Sequence, residues 1–280
     1  MRIGITNTAY CSYQKGSIDY EKMHAHGYSC ADYQNFMDTR DGLLFHVDHM
    51  TFEKLLTAER RQANDAGIEF SQVHAPWPTD DLTAESRREK FEYMKRALEG
   101  CALLNSKYFV VHPVMPFGWG KDADPDFTLE CNADFLIALC VYGGDLGVNI
   151  CIENMPFPAY RLSRIPSLVK FVKSLHLKNL FICLDTGHAN IFGDDCGKMI
   201  RMCGDLLKVL HVHDNNGKQD EHRMPFEGTI DWKSFRMALK KIRYDGCISL
   251  ETSVSRRYPE EIYEYMQKGL AMTAKYLAQF

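Results

Sequence analysis

The 280-residue sequence contains no CxxC pair, no apolar run of about 18 residues and no Pro/Gly/Ser-rich linker. Its ten cysteines are dispersed. Cys151, Cys183 and Cys247 lie inside strand-like apolar runs, where a free thiol behaves as a small core hydrophobe. A disulfide framework is therefore not expected, and a reducing compartment is. Without a long apolar run there is no membrane span to expect. The opening "MRIGITNTAY" reads as a strand rather than as a charged segment followed by an apolar one, so no signal peptide is expected and the reading is cytoplasmic. Nothing divides the chain, and residues 1–280 read as one domain. An excess of positive charge is missing too. With 33 Lys and Arg against 37 Asp and Glu, the net charge is −4, which disfavours a surface built to grip phosphate backbones.

What is present is an alternation. Short β-branched or apolar runs begin with "RIGITN" (2–7), "CADYQNF" (30–36), "IEFSQVHA" (68–75) and "KYFVVHP" (107–113). "VNICIEN" (148–154), "NLFICLDT" (179–186), "KVLHVHD" (208–214) and "CISLET" (247–252) follow. Amphipathic helical patterns fall between them at 51–67, 85–104, 165–176, 230–242 and 259–280, with a weaker one in "DYEKMHAHGYS". Strands that alternate with helices pair in parallel, because a parallel connection needs a crossover of a dozen or more residues. Eight such units in this length predict an α/β fold of the (β/α)8 TIM-barrel type rather than an open doubly wound sheet.

Chemistry in such a barrel gathers at the C-terminal ends of the strands. Six consecutive strands end in, or just before, a good metal ligand: His74, His112, Glu153, Asp185 with His188, His213 with Asp220 and His222, and Glu251. Singly, each has an ordinary explanation as a satisfied polar residue or a helix N-cap. Together, converging carboxylates would repel one another unless a cation lay between them. A metal site is the expectation. His211 precedes His213 by two and faces the same way, and is read, with Asn154, as orienting the ligands rather than as one of them. His24, His26, His46, His49 and His176 receive no role.

The motifs "VHAPW", "VHP", "IEN", "DTGH", "HVHDN", "DEH", "EGTIDW" and "SLET", in that order between about residues 68 and 252, resemble the xylose isomerase-like TIM barrel superfamily. It holds sugar isomerases, sugar 3-epimerases and endonuclease IV. The resemblance implies a divalent-metal-dependent isomerase or epimerase of a sugar or sugar phosphate. Its four-ligand pattern falls on Glu153, Asp185, His213 and Glu251. Glu153 and Glu251 would also move protons through an enediol-like intermediate, and His188 matches a substrate-contacting position. The alternative implied is an endonuclease IV-like zinc phosphodiesterase acting at abasic sites in DNA. Its nine-ligand pattern adds His74, His112, His188, Asp220 and His222 to the same four. A short loop between His213 and Asp220, the negative net charge and the lack of a basic, aromatic-interleaved stripe pull against that alternative. A subunit that holds a sugar without converting it is a third reading.

Mixed imidazole and carboxylate ligands suit Zn, Mn or Co, in one to three ions. The expected partner is a small-molecule sugar; nucleic acid is disfavoured, no membrane is involved, and related isomerases are often homo-oligomers. Aromatics in the loops after the strands (Tyr10, Trp77, Phe117, Trp119, Phe157 and Phe226) offer faces for sugar C–H groups, with Tyr10, Trp77 and Trp119 expected as substrate walls. The loop 114–127 reads as a lid, and Arg256 and Arg257, after the last strand, as a candidate phosphate contact.

Overall fold

The computed structural model describes residues 1–12, 17–40, 42–79 and 82–279. Eight parallel strands form a barrel: β1 (Arg2–Thr6), β2 (Cys30–Tyr33), β3 (Glu69–His74), β4 (Tyr108–Val111), β5 (Asn149–Glu153), β6 (Leu180–Asp185), β7 (Leu207–His211) and β8 (Cys247–Leu250). The order runs β8-β1-β2-β3-β4-β5-β6-β7. The ring closes where β7 continues past its last ladder residue. There the Val212 amide donates to the Ser249 carbonyl (2.9 Å) and the Glu251 amide to the Val212 carbonyl (3.1 Å). Each strand coincides with an expected run to within a few residues at either end.

The surrounding helices include α1 (Tyr20–Ala25), α2 (His49–Asp65), α3 (Ala84–Leu103), α4 (Pro125–Asp145), α5 (Ile165–Ser174), α6 (Cys196–Cys203), α7 (Trp232–Ile242) and α8 (Glu260–Ala278). Side chains fix several starts by accepting from orphan amides of the first turn: Asp48 from Thr51, Asp195 from Lys198 and Asp231 from Ser234. Helices α4 and α6 lie outside the expected set. In α4 apolar residues occur all round, with Leu136 and Leu139 buried but Ile137 and Val141 exposed, so it lacks the one-sided stripe that marks a helix. Among the described residues, no helix is long and apolar enough to cross a membrane.

Successive side chains of a barrel strand alternate between the interior and the helix-facing exterior. Val110, Cys151, Cys183 and Val209, from four adjacent strands, form a buried cluster separate from the main core. This is an interior layer, above Tyr108 and Phe181. Two residues further along each of the same strands stand His112, Glu153, Asp185 and His211. The pleat that buries small residues in one layer thus delivers four ligand-type side chains to the next.

Candidate metal centre

His211, rather than His213, occupies the central position. Its Nδ1 lies 3.2 Å from Glu153 Oε1 and 3.1 Å from Glu251 Oε2. One atom each from Glu153, Asp185, His211 and Glu251 falls within 4.8 Å of the others. The register of β6 against β7 pairs Asp185 with His211 directly. His213, two residues on, stands one tier higher, with Nε2 2.9 Å from Asp185 Oδ2 and its ring stacked 4.0 Å from that of His222. Motif order placed His213 with Glu153, Asp185 and Glu251 and gave His211 a supporting role; the geometry groups His211 with those three carboxylates and His213 with the upper tier. One tier of pleat separates the two histidines, and motif order alone does not resolve it.

The remaining candidates surround this centre. His112 Nε2 and His74 Nε2 approach Glu153 Oε2 at 3.2 and 3.7 Å. His188 Nε2 reaches Asp220 Oδ2 at 3.2 Å, and His222 Nε2 reaches the same oxygen at 3.3 Å. The upper tier therefore gathers Asp185 with His188 and His213, and His213 with Asp220 and His222. Three imidazoles face a backbone carbonyl through Nδ1: His74 that of Ala75 (2.9 Å), His188 that of Asn154 (2.7 Å) and His222 that of Glu251 (2.7 Å). A carbonyl only accepts, so Nδ1 carries the hydrogen and the Nε2 lone pair is left for the mouth of the barrel. That is the tautomer a metal-ligating histidine uses. Asn154 fixes Asp185 by a reciprocal pair, donating to its carbonyl (3.0 Å) and accepting from its amide (2.8 Å). Asp185 also caps the short helix Thr186–Ile191 by accepting from the His188 amide (2.6 Å).

The ligand-bearing loop after β7 is built on Asp214. Its buried carboxylate accepts from the amides of Asn215 and Phe226 and from Trp232 Nε1. Gly228 closes the loop: a Cβ there would lie 2.2 Å from both Asp214 Oδ1 and the Asn215 carbonyl oxygen. The polar run "HDN" and the distant "EGTIDW" are thus one local structure that presents Asp220 and His222 to the mouth.

Several buried polar atoms at this centre have no hydrogen-bond partner: Glu153 Oε2, both ring nitrogens of His211, His213 Nδ1 and Asp32 Oδ1. Unpaired buried acceptors are costly, and a divalent cation between the carboxylates and imidazoles would satisfy Glu153 Oε2 and His211 Nδ1 together. The donor set fits such an ion. Electrostatics carry the same signature of close opposed charge. Burial works to raise the Glu153 carboxyl, but the imidazoles of His211 and His112 outweigh it and hold the group well below the usual carboxylate range. Glu251, partly buried, is held low by His211 against the opposing effect of desolvation. Burial disfavours the charged form of His188 and His222. Asp185 acting on His188, and the hydrogen bond that His222 donates to Asp220, prevail and raise them to about 10 and about 9.

Asp32, at the end of β2, is a residue that sequence reading missed. It is fully buried, with Oδ2 3.7 Å from His211 Nε2 and 3.2 Å from Gln34 Nε2. Gln34 also reaches Glu251 Oε1 at 3.3 Å. Burial raises the Asp32 carboxyl to about 6. The carboxylate stands behind the far nitrogen of His211, as the partners of metal-bound histidines do. Asp32→Asn is expected to weaken cation binding about 10- to 100-fold, measured by competition with a chromophoric chelator.

The mouth opens into a cavity of about 470 Å³ whose walls include Met37, Trp77, Trp119, Met155, Phe157 and His188 beside the centre itself. Trp77 packs edge-on to His112 (4.7 Å) and to Trp119 (4.2 Å), which meets Phe157 at 4.6 Å. Trp77, Trp119 and His188 therefore stand where substrate walls were expected, and Trp119 projects from the loop read as a lid. Tyr10 does not. It is buried, with its hydroxyl 2.8 Å from His26 Nδ1, and is a core residue of the barrel's flank. Phe117 packs on Phe127 and Phe226 on Trp232 and Tyr276, away from the cavity. Arg256, instead of facing a phosphate, donates to the carbonyls of Ala9 and Cys11 (3.0 Å each).

Comparison with known proteins agrees with this architecture. An uncharacterized protein of Methanocaldococcus jannaschii is 35% identical over 207 residues, covering 70% of this chain and 69% of its own. A D-psicose 3-epimerase of Agrobacterium fabrum is 28% identical over 215 residues, covering 75% and 72%. Among solved structures, that of a D-tagatose 3-epimerase-like protein superposes with a TM-score of 0.76 at 25% identity over 99% of this chain and 98% of its own. The model of the xylose isomerase-like TIM barrel family matches residues 21–275; the chain belongs to that family.

Proposed function

We propose that the protein is a divalent-metal-dependent isomerase or epimerase of an unphosphorylated sugar. One observation carries this reading: Glu153, Asp185, His211 and Glu251 converge at the floor of a cavity walled by indole, phenyl and thioether groups. The cavity volume suits a monosaccharide, and its apolar faces suit sugar C–H groups. The named relatives, a D-psicose 3-epimerase among them, support the reaction class. A bound cation would draw charge from a sugar carbonyl and hydroxyl and so acidify the neighbouring C–H.

The chain's own residues then divide the work. Glu251 is the proton acceptor facing the cavity, ionised at neutral pH and steadied by Gln34. Glu153, enclosed by His74 and His112, is the second proton-transfer group: it passes to the enediol-like intermediate a proton taken from the His74 imidazolium, while the C–H proton stays on Glu251 until solvent removes it. His188, held by the Asn154 carbonyl, orients the sugar, while Trp77, Trp119 and Phe157 exclude water. None of the described side chains lining the cavity is Lys or Arg. That disfavours both a sugar phosphate and an endonuclease IV-like reaction on DNA, each of which calls for cationic contacts to phosphate. The upper tier of His188, His213, Asp220 and His222 leaves room for more than one ion, so that count is left to elemental analysis.

The test is proton exchange. A panel of free ketoses incubated with protein in D2O is expected to acquire deuterium next to the carbonyl. Chelation should abolish the exchange, Mn, Co or Zn should restore it, and the corresponding sugar phosphates should be poor substrates. Cleavage of an abasic duplex with no exchange into any free sugar would refute the reading.

A further inference from the structure

Glu251 has two tasks in the proposed reaction and two oxygens with which to perform them. One oxygen must face the cation, and the other must take a proton from the sugar. The structure separates the pair. Oε2 lies 3.1 Å from His211 Nδ1, on the floor of the centre, whereas Oε1 lies 3.3 Å from the carboxamide nitrogen of Gln34. Glu153 differs, with imidazoles at both oxygens: His211 and His188 at Oε1, His112 and His74 at Oε2.

Gln34 stands just past β2, and its side chain links two acids of the site. Nε2 reaches Asp32 Oδ2 at 3.2 Å as well as Glu251 Oε1. Glu251 is ionised at neutral pH and only accepts, so the carboxamide presents its NH2 group there, with one hydrogen for each acid. The backbone behind this group is held at both ends. The Gln34 amide donates to Asn7 Oδ1 (3.0 Å), and the Gln34 carbonyl accepts from the Met37 amide (3.1 Å). Asn7 is fully buried on the turn that follows β1, and its own NH2 group goes to Asn35 Oδ1 (3.1 Å). The arm therefore joins the ends of β8, β1 and β2, three neighbours in the barrel. Without its donor the Glu251 carboxylate could turn about its last bond. Divalent cations take carboxylates through one oxygen or through both, and a carboxylate held through both has no oxygen left for a proton.

We propose that Gln34 is a positioning residue that reserves Glu251 Oε1 from the cation and keeps this oxygen available to the sugar C–H. The inference rests on the metal-dependent reading given above, and its consequence has a distinctive sign. Removing a group that merely supports a metal ligand lowers cation affinity, as expected for Asp32→Asn. Removing the donor of Gln34 should leave cation affinity at the parent level or above, because a second oxygen becomes free to reach the ion. Sugar C–H exchange should nevertheless fall about a hundredfold, with apparent sugar affinity kept within threefold. Gln34→Met keeps the length of this half-buried side chain and loses the donor. Isothermal titration with Mn or Co, exchange rates in D2O, and crystals of parent and variant grown with Mn form the test. In the parent crystal Oε1 is expected on Gln34, and in the variant on the ion. A loss of cation affinity beyond threefold, a fall in exchange of less than tenfold, or a parent crystal with both Glu251 oxygens on Mn would each overturn the proposal. A parent that exchanges no sugar would remove the proposed function, while titration and crystals would still decide the role of Gln34. Should the variant not fold, the parent crystal alone decides it.

Discussion

Glu251→Gln is expected to lower sugar C–H exchange about a hundred- to ten-thousand-fold, the range a positioned general base contributes. The amide keeps the shape of the side chain and an oxygen toward the metal centre, so the loss should fall on turnover more than on apparent affinity for the sugar. The local structure makes the comparison clean. Glu251 is anchored through its backbone, with its amide donating to Val212 and its carbonyl accepting from His222, and neither bond involves the group replaced. Stopped-flow or NMR exchange rates, read beside metal content, separate loss of the base from loss of the ion. Turnover within threefold of the parent for every accepted sugar would remove Glu251 from its role.

His211→Gln is expected to reduce cation affinity more than about a hundredfold, beyond the 10- to 100-fold typical of a supporting partner, while His213→Gln costs markedly less. The asymmetry follows from position. His211 lies within 3.2 Å of both Glu153 and Glu251, whereas His213 touches the centre only through Asp185 and otherwise faces Asp220 and His222. Isothermal titration with Mn or Co on both variants decides between them. Equal losses, or a larger loss at His213, would restore the ligand set expected from motif order.

Most of the barrel was legible in the sequence because parallel strands buried on both sides read as short apolar runs, and each of the eight lies within, or within a residue of, its expected run. The helices were legible where one face is apolar. They were not where, as in α4, residues on all sides are apolar. At the centre, the identity of the carboxylates and most imidazoles could be read from strand ends, since topology alone brings those ends to one rim. What could not be read was depth. Choosing between His211 and His213 needs the register of β7 against β6 and β8, set by pairings distant in sequence. Asp32 was missed because β2 runs only from Cys30 to Tyr33, so the expected run through Phe36 hid its end. A carboxylate two residues into a strand whose neighbours are Cys30 and Gln34 does carry a signal, since an ionisable group on an interior-facing position needs a partner. Tyr10 differs for another reason: it ends a one-turn 3-10 helix after β1 and is packed into the core, with its hydroxyl paired to His26.

The tiers of the barrel mouth also bear on the order of events. Glu153, Asp185 and His211 are almost wholly enclosed, the small-residue layer plugs the way from below, and the aromatic cavity sits above. On the proposed function, an ion bound for the floor would pass among the described residues through the aromatic cavity that the sugar would later fill. Loading would then precede saccharide, and a seated saccharide would trap the ion beneath it, so that binding would follow a compulsory order.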